Sequence, residues 1–327
     1  MPRVTIVIPT LDANDHVDEC IECLLTQTFE SFELIVVDDG STDGTVDTVR
    51  SFDDDRIRLI ERNGSGVASA RNHGIECSES EYVATHDADD RSAPTRLEEQ
   101  IDYLDHADSV ALVGSGARLI DETGAVHSRR RVLERPSFDD LISQNHFVHG
   151  STLIRREAFE RIGGYDESFP LSEDYDLYLR LALHYPIRNI DRPLYEFRIH
   201  RGSLYESSLE RTRLYHRFAI RRVLNDLPEG SNERIRAGEI DWLYDQLTSE
   251  ERHELHVEVA KELLRYGRSR EAISHSLRAI ESRPAAPINY FLGVLSLFPP
   301  EIGTYAARAY RPLLNWRLNR TNSRCDK

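Results

Sequence analysis

The stretch Tyr82-Val83-Ala84-Thr85-His86-Asp87-Ala88-Asp89-Asp90 joins β-branched and aromatic residues to three carboxylates. Read as a strand, it leaves Asp87 and Asp89 just past its C-terminal end. Two carboxylates one residue apart, at the mouth of an α/β sheet, can share a divalent cation. A hard ion such as Mg²⁺ or Mn²⁺ takes oxygen ligands and keeps positions open for substrate phosphates. An isolated Asp-x-Asp is more often a plain acidic turn, so the reading depends on the rest of the chain. A second acidic pair, Glu173-Asp174, opens a helix-like run with Ser172 as the expected N-cap. A carboxylate there can take a proton from a hydroxyl, or simply serve the helix dipole.

These residues need a frame. Val4-Thr5-Ile6-Val7-Ile8-Pro9 is a near-continuous apolar run, suited to a strand covered on both faces. A helix to about Gln27 follows, with Val17, Cys20, Ile21, Leu24 and Leu25 on one side. Phe32 to Val37 is the second strand, and it runs into the turn-rich Asp38-Asp39-Gly40-Ser41-Thr42-Asp43-Gly44, where Asp43 reads as a helix cap. A helix near 44–52, a strand at 57–60 and a helix at 68–75 lead to the acidic stretch. The order β-α-β-α-β-α-β predicts a parallel, doubly wound sheet. Ligands of such sheets sit beyond the carboxyl ends of strands. Pro9-Thr10, Asp38-Asp39 and Asp87-Asp89 each follow a strand, so all three are expected at one crevice.

After Asp90 the pattern predicts a helix from Pro94 to about Asp105, a strand at 110–114, a hairpin over 117–135, and a short helix at 137–142. A strand at 151–154, a helix at 156–162 stopped by Gly163-Gly164, and a last strand at 188–198 complete this part. From about Ser203 the texture is helical, with segments at 208–225, 231–247, 250–266 and 270–282. The expected domains are therefore 1–203, α/β, and 204–327, all-helical.

The formal net charge of -16 falls almost wholly on residues 1–100, which argues against nucleic acid as a partner. Lysine occurs only at Lys261 and Lys327, which is compatible with a salt-loving source, or simply with a GC-rich genome. Cys20 and Cys23 form a C-x-x-C with no second pair to complete a zinc site, and both fit the core side of a helix. With Cys77 and Cys325 isolated, the cysteine pattern suits a reducing compartment. The start, Met1-Pro2-Arg3-Val4, is not a signal peptide, and no apolar run reaches the roughly 18 residues of a membrane span. A cytoplasmic protein is expected.

The motifs resemble those of the inverting, nucleotide-sugar-dependent family 2 glycosyltransferases with the GT-A fold, over about residues 3–203. Val7-Ile8-Pro9-Thr10 is similar to the family's opening strand and nucleotide loop, and Val36 to Asp43 to its second motif, with Gln27-Thr28-Phe29 before it. Ala70-Arg71-Asn72-His73-Gly74 resembles the third motif, and Asp87-Ala88-Asp89-Asp90 the metal motif. Gly163-Gly164-Tyr165-Asp166-Glu167 with Glu173-Asp174-Tyr175-Asp176-Leu177 resembles the acceptor-side motif. Asp12 stands where the family more often has Asn.

The resemblance implies a Rossmann-like, mostly parallel sheet and a UDP-sugar donor. It implies that Asp39 accepts the uracil N3–H, that Pro9 and Thr10 wall the base, and that Asp12 lines the same loop. Arg71 would approach the base or diphosphate, Asp87 would face the ribose, and Asp89 would hold Mg²⁺ or Mn²⁺. Asp174 would be the general base with Glu173 beside it, and His200 resembles a histidine that closes over the metal and diphosphate. For Arg71 the plainer reading is a pair with surface acids; for His200, a loop histidine; for His149, a structural role or the acceptor site.

The acceptor is expected to be a glycan or a lipid-linked glycan. Processive members of the family carry a Gln-x-x-Arg-Trp segment and membrane spans; neither is found here, so one sugar per encounter is expected. Two other classes compete: an Asp-x-Asp hydrolase of phosphatase type, and a non-catalytic sugar-nucleotide binding module. The hydrolase motif belongs on a first strand, and intact Asp39, Asp89 and Asp174 argue against the module. At the C-terminus, Tyr290 to Phe298 is apolar and is followed by Arg308, Arg311, Trp316, Arg317 and Arg320. That combination suits either a peripheral contact with an anionic membrane, at its inner face, or helices that pack on one another.

Overall fold

The structure, a computed structural model, describes residues 1–199, 208–265, 268–286, 288 and 292–293. The chain forms two units: residues 1–206 with 218–236, and residues 207–217 with 237–327.

The first unit is built on β1 (Val4–Thr10), β2 (Phe32–Asp38), β3 (Ile57–Glu61) and β4 (Tyr82–Thr85), which pair in parallel in the order β3-β2-β1-β4. Helices α1 (Val17–Leu25), α2 (Thr45–Arg50) and α3 (Val67–Glu76) are the crossovers. Val4, Ile6, Val7 and Ile8 are fully buried, as are Leu34 to Val37, so both faces of these strands are covered, as their continuous apolar character predicts. Thr10 is in register with Asp38, and Val7 with Thr85, so the acidic segments leave the sheet along one edge. Gly74 explains how closely α3 lies on that sheet: a Cβ there would stand 2.6 Å from a Val7 methyl carbon.

Past β4 the sheet becomes mixed. β8 (Leu153–Arg155) is antiparallel to β4 and to β6 (Leu112–Ile120), and β9 (Ile187–Arg198) runs parallel to β6. β5 (Arg91–Ser92) pairs β9, and β7 (Val126–Arg130) pairs β6. The strand expected at 110–114 and the first arm of the expected hairpin are one strand, β6, which passes through Gly114 and Gly116. Its turn is held by the Asp121 carboxylate, which accepts the N–H groups of Thr123 and Ala125, both at 2.9 Å. Helices α4 (Arg96–Asp105), α5 (Phe138–Ser143), α6 (Arg156–Arg161) and α7 (Glu173–Ala182) complete the layers.

The helices that follow are α8 (Leu209–Val223), α9 (Ser231–Arg236), α10 (Asp241–Gln246), α11 (Ser249–Arg265) and α12 (Ser269–Ser282). The single helix expected over 231–247 is two, because Gly238 takes φ +77 between α9 and α10. The expected boundary at 203/204 lies outside the described residues, and residues 218–236 belong to the first unit. Phe218 packs on Phe169 with ring centroids 5.5 Å apart, and Arg222 pairs with Asp166 and Asp176. Among the described residues no helix is long and apolar enough to cross a membrane. The apolar and basic C-terminal stretch singled out in the sequence lies almost wholly outside the described residues.

Candidate active site

At the ends of β1 and β2, the Asp39 N–H donates to the Thr10 carbonyl at 2.9 Å. The Thr10 hydroxyl is buried and lies 3.3 Å from the Asp38 carboxylate, which also accepts the N–H groups of Gly40 and Ser41. Asp12 takes φ +49, the left-handed region that Asn and Asp tolerate best, which suits a position where the family favours Asn. Its carboxylate accepts the Thr42 N–H at 2.8 Å and so ties the first loop to the second. Asp43 is not the N-cap of α2 as expected, because Gly44 takes that position with φ +101; its carboxylate instead accepts the Thr45 N–H and the Asn14 N–H, both at 3.0 Å, and ties the two loops together. Asp39 accepts the N–H groups of Ser65 and Gly66 and the Ser65 hydroxyl. Burial alone would raise its pKa, but these donors outweigh burial and hold the group below the usual carboxylate range.

Beyond β4 the carboxylates are held from several directions. The His86 ring is fully buried, with Nδ1 2.8 Å from the Asp87 carbonyl and Nε2 3.0 Å from the Ser92 hydroxyl. Burial, with Arg96 nearby, lowers its pKa to about 3, so the ring is neutral and structural. The Asp90 carboxylate is buried and accepts the Arg198 N–H at 2.7 Å, while Arg198 Nε donates to the Asp89 carbonyl at 2.7 Å. Arg198 therefore fixes the backbone that carries Asp89. Gln27 bonds the Ala93 carbonyl and the Leu97 N–H, anchoring the exit from the acidic segment.

Arg71 is the centre of the cluster. It is 4% exposed, it donates to Asp87 Oδ1 at 2.9 Å, and it pairs with Glu173. Its partners are buried or half-buried site carboxylates rather than surface acids. Breaking such a buried pair costs about 3–5 kcal/mol, because a charge is left uncompensated. Asn72, next along α3, exchanges hydrogen bonds with the Tyr165 backbone at 2.9 and 3.0 Å, so the segment 70–74 docks on the segment 163–167. Gly164 is required there: it takes φ +69, and a Cβ would lie 2.9 Å from Asn72 Oδ1.

Asp174 lies beside Glu173 at the start of α7. Ser172 does not cap this helix through its side chain; it takes φ +67 instead. A non-glycine residue in that region is strained, and such strain gathers at functional sites. Arg71 pairs with Glu173, whereas the Asp174 side chain makes a long contact, 3.5 Å, with Asn145. Burial first, and the Glu173 charge second, push Asp174 up to about 7. Asp87 is also raised, by burial and by Asp89, against the opposing pull of Arg71. The helix is fixed from below by Asp176, which is fully buried and pairs with Arg180 and Arg222. His149 lies 2.7 Å from the Tyr178 hydroxyl, and burial holds it well below its usual pKa, so it is a neutral ring within this wall.

Arg71, Asp87, Glu173 and Asp174 thus meet, from α3, the exit of β4 and α7. Thr10, Asp12 and Asp39 meet at the ends of β1 and β2, following Pro9. His200 lies outside the described residues. The positioning roles of Arg198, Asn72 and Arg222 are not legible in the sequence, because their hydrogen-bond and charge partners are distant along the chain and leave no local pattern.

The carboxylate set suits a hard divalent cation. Asp87 and Asp90 are both raised by burial and by Asp89, a repulsion that a cation would relieve, and every donor is an oxygen.

The model of the family described as "Glycosyl transferase family 2" matches residues 5–163. The chain is 32% identical over 221 residues to an uncharacterized glycosyltransferase of Rickettsia prowazekii, covering 65% of this chain and 69% of that protein. It is 32% identical over 185 residues to EpsE, a putative glycosyltransferase of Bacillus subtilis, covering 55% and 66%. It spans only 34% of the length of an uncharacterized Rickettsia felis glycosyltransferase to which it is also 32% identical, over 61% of its own length. Among solved structures, TarS 1-349 of S. aureus in complex with UDP-GlcNAc aligns with TM-score 0.56 at 17% identity, over 90% of each chain. A Pyrobaculum calidifontis mannosyltransferase in complex with GDP-Man and Mn²⁺ aligns with TM-score 0.54 at 21% identity, over 94% and 86%. The expected architecture, a GT-A sheet followed by helices, is the one found. With relatives at this identity and coverage, the chain belongs to glycosyl transferase family 2.

Proposed function

We propose that this glycosyltransferase moves one sugar from a UDP-sugar to the hydroxyl of a glycan or lipid-linked acceptor, with inversion, in a reaction that depends on Mg²⁺ or Mn²⁺. The observation that carries this reading is Asp174, raised to about 7 beside a Glu173 that is held by Arg71. An acceptor hydroxyl has a high pKa, so a carboxylate must take its proton as attack proceeds. Asp174 takes that proton, the acceptor oxygen forms the new bond to the anomeric carbon, and the bond to the diphosphate oxygen breaks with its electron pair. A single displacement of this kind inverts the centre.

Asp89 is the ligand that would hold the cation, with His200 assigned by resemblance. When bound, the cation neutralises the charge that develops on the leaving diphosphate. Asp87, oriented by Arg71, faces the ribose. With both terminal nitrogens on carboxylates, Arg71 acts first as a positioning residue and only second as a diphosphate contact.

The neighbours bind UDP-GlcNAc in one case and GDP-Man in the other, so the fold does not choose the base. Asp39 carries the uridine reading. It is an ionised, acceptor-only carboxylate beside Thr10, able to take the uracil N3–H. Asp39→Ala should weaken UDP about tenfold or more, as expected for loss of a charge-assisted hydrogen bond. Titration calorimetry that finds the same preference among nucleoside diphosphates in parent and variant would contradict this role.

The pH dependence follows from the direction of the Asp174 shift. The base works ionised, and its folded pKa is raised, so activity is lost as pH falls through about 7. Donor turnover measured at saturating Mn²⁺ should show an acid limb near pH 7, and a limb at the ordinary carboxylate value would remove Asp174 as the base. The experiment that tests the function as a whole is detection of nucleotide release from a panel of UDP-sugars. Orthophosphate release from simple esters would favour the hydrolase instead.

A further inference from the structure

We infer that the helical unit carries a second metal site, of the kind that takes Zn²⁺, formed by Glu210, His256 and His275. These residues come from α8, α11 and α12, all within the second unit. One ligand atom from each lies within 4.8 Å of the others. His256 Nδ1 and His275 Nδ1 are 3.1 Å apart. A tetrahedral Zn²⁺ with Zn–N bonds of about 2.0–2.1 Å sets its nitrogens roughly 3.3 Å from each other. The two imidazoles are therefore nearly spaced for a shared ion.

The surroundings fit as well. His256 is fully buried, and its other ring nitrogen, Nε2, lies 2.9 Å from the Tyr244 hydroxyl of α10. Metal-ligating histidines usually have the second nitrogen held in this way, which fixes tautomer and ring orientation. Glu210 Oε2 lies 3.9 Å from His275 Nε2, and the Glu210 side chain is about two-thirds buried. Two imidazoles and one carboxylate, with a water in the fourth position, are a donor set for Zn²⁺ or its mimic Co²⁺ rather than for Mg²⁺. The set differs in kind from the all-oxygen cluster at Asp87 and Asp89. Arg278 competes for it: its guanidinium lies 3.2 and 3.3 Å from the two Glu210 oxygens. One carboxylate oxygen must turn from Arg278 to the ion. Closing three helices on one ion would staple the unit, since a metal that binds only the folded state adds its binding energy to stability.

The test uses the full-length chain without an affinity tag, stripped with chelator and titrated with Co²⁺. One equivalent should produce the visible absorption of a tetrahedral Co²⁺ centre, and Zn²⁺ should abolish it. His275→Gln and Glu210→Gln, each checked for native helix content, should weaken that Co²⁺ affinity at least tenfold. Asp89→Ala should leave the band unchanged, which separates the site from the acidic cluster. Arg278→Gln should tighten binding, because a competing cation is removed. Absence of the band in the parent chain, or an undiminished band in both His275→Gln and Glu210→Gln, would leave His256 and His275 as a hydrogen-bonded pair and overturn the proposal.

Discussion

Replacing Asp174 with asparagine should lower turnover by about a hundredfold or more while donor affinity stays within about twofold. A hundredfold loss is about 2.7 kcal/mol of transition-state stabilisation, the scale of a lost general base. The variant is nearly isosteric, and among the described residues Asp174 makes no ion pair, so the fold should tolerate it. Glu173 sits alongside, but its carboxylate is bound to Arg71 and is not free to substitute. Removing the proton acceptor acts on the chemical step alone, so kcat falls and KM for the donor does not follow. Steady-state kinetics, with nucleotide binding by calorimetry, separate the two. Turnover equal to that of the parent would place the base elsewhere.

The second large effect concerns Asp89. Asp89→Ala should abolish the part of donor binding that depends on the cation. The N-terminal region is strongly acidic, and Asp87 and Asp90 already repel Asp89 inside a poorly solvated segment. A diphosphate cannot approach that cluster without a counter-charge. UDP affinity in the parent should therefore fall by at least a hundredfold when Mn²⁺ is removed, and the variant should bind equally weakly with or without it. The Asp89 backbone is fixed by Arg198, so the loss should not come from movement of the segment. Equal UDP affinity in the parent with and without Mn²⁺ would remove the basis for a metal role.

Much of the catalytic frame was legible in the sequence. β1, β2 and β4 announce themselves as apolar runs that lead into Pro-Thr or Asp, β3 as a shorter alternating run, and helices separate them. Their parallel order follows from connection lengths alone. The pairs that complete the site were not legible. β5 is two residues long, too short to show a period, yet it pairs with β9 some hundred positions later. The strand expected to end at Gly114 continues through it as β6, and Gly114 is where Asn189 and Phe147 come too close for any side chain. Arg71 could be placed in a motif, but its partners Asp87 and Glu173 are brought to it by tertiary structure. Ser172 was read as a cap from its type, while the backbone there is left-handed and the expected hydroxyl bond is not made. The helix expected over 231–247 is split by the positive φ of Gly238. In each case the local signal was correct in kind and a long-range contact or an unusual dihedral decided the outcome.

The most direct test lets water stand in for the unknown acceptor. The full-length chain is incubated with a panel of UDP-sugars and Mn²⁺, and proton NMR follows the first-formed free sugar before it mutarotates. The mechanism requires that at least one donor yields UDP together with the sugar of inverted anomeric configuration, that chelator stops the reaction, and that Asp174→Asn slows it. A first-formed sugar of retained configuration, or release of sugar phosphate in place of UDP, would contradict it.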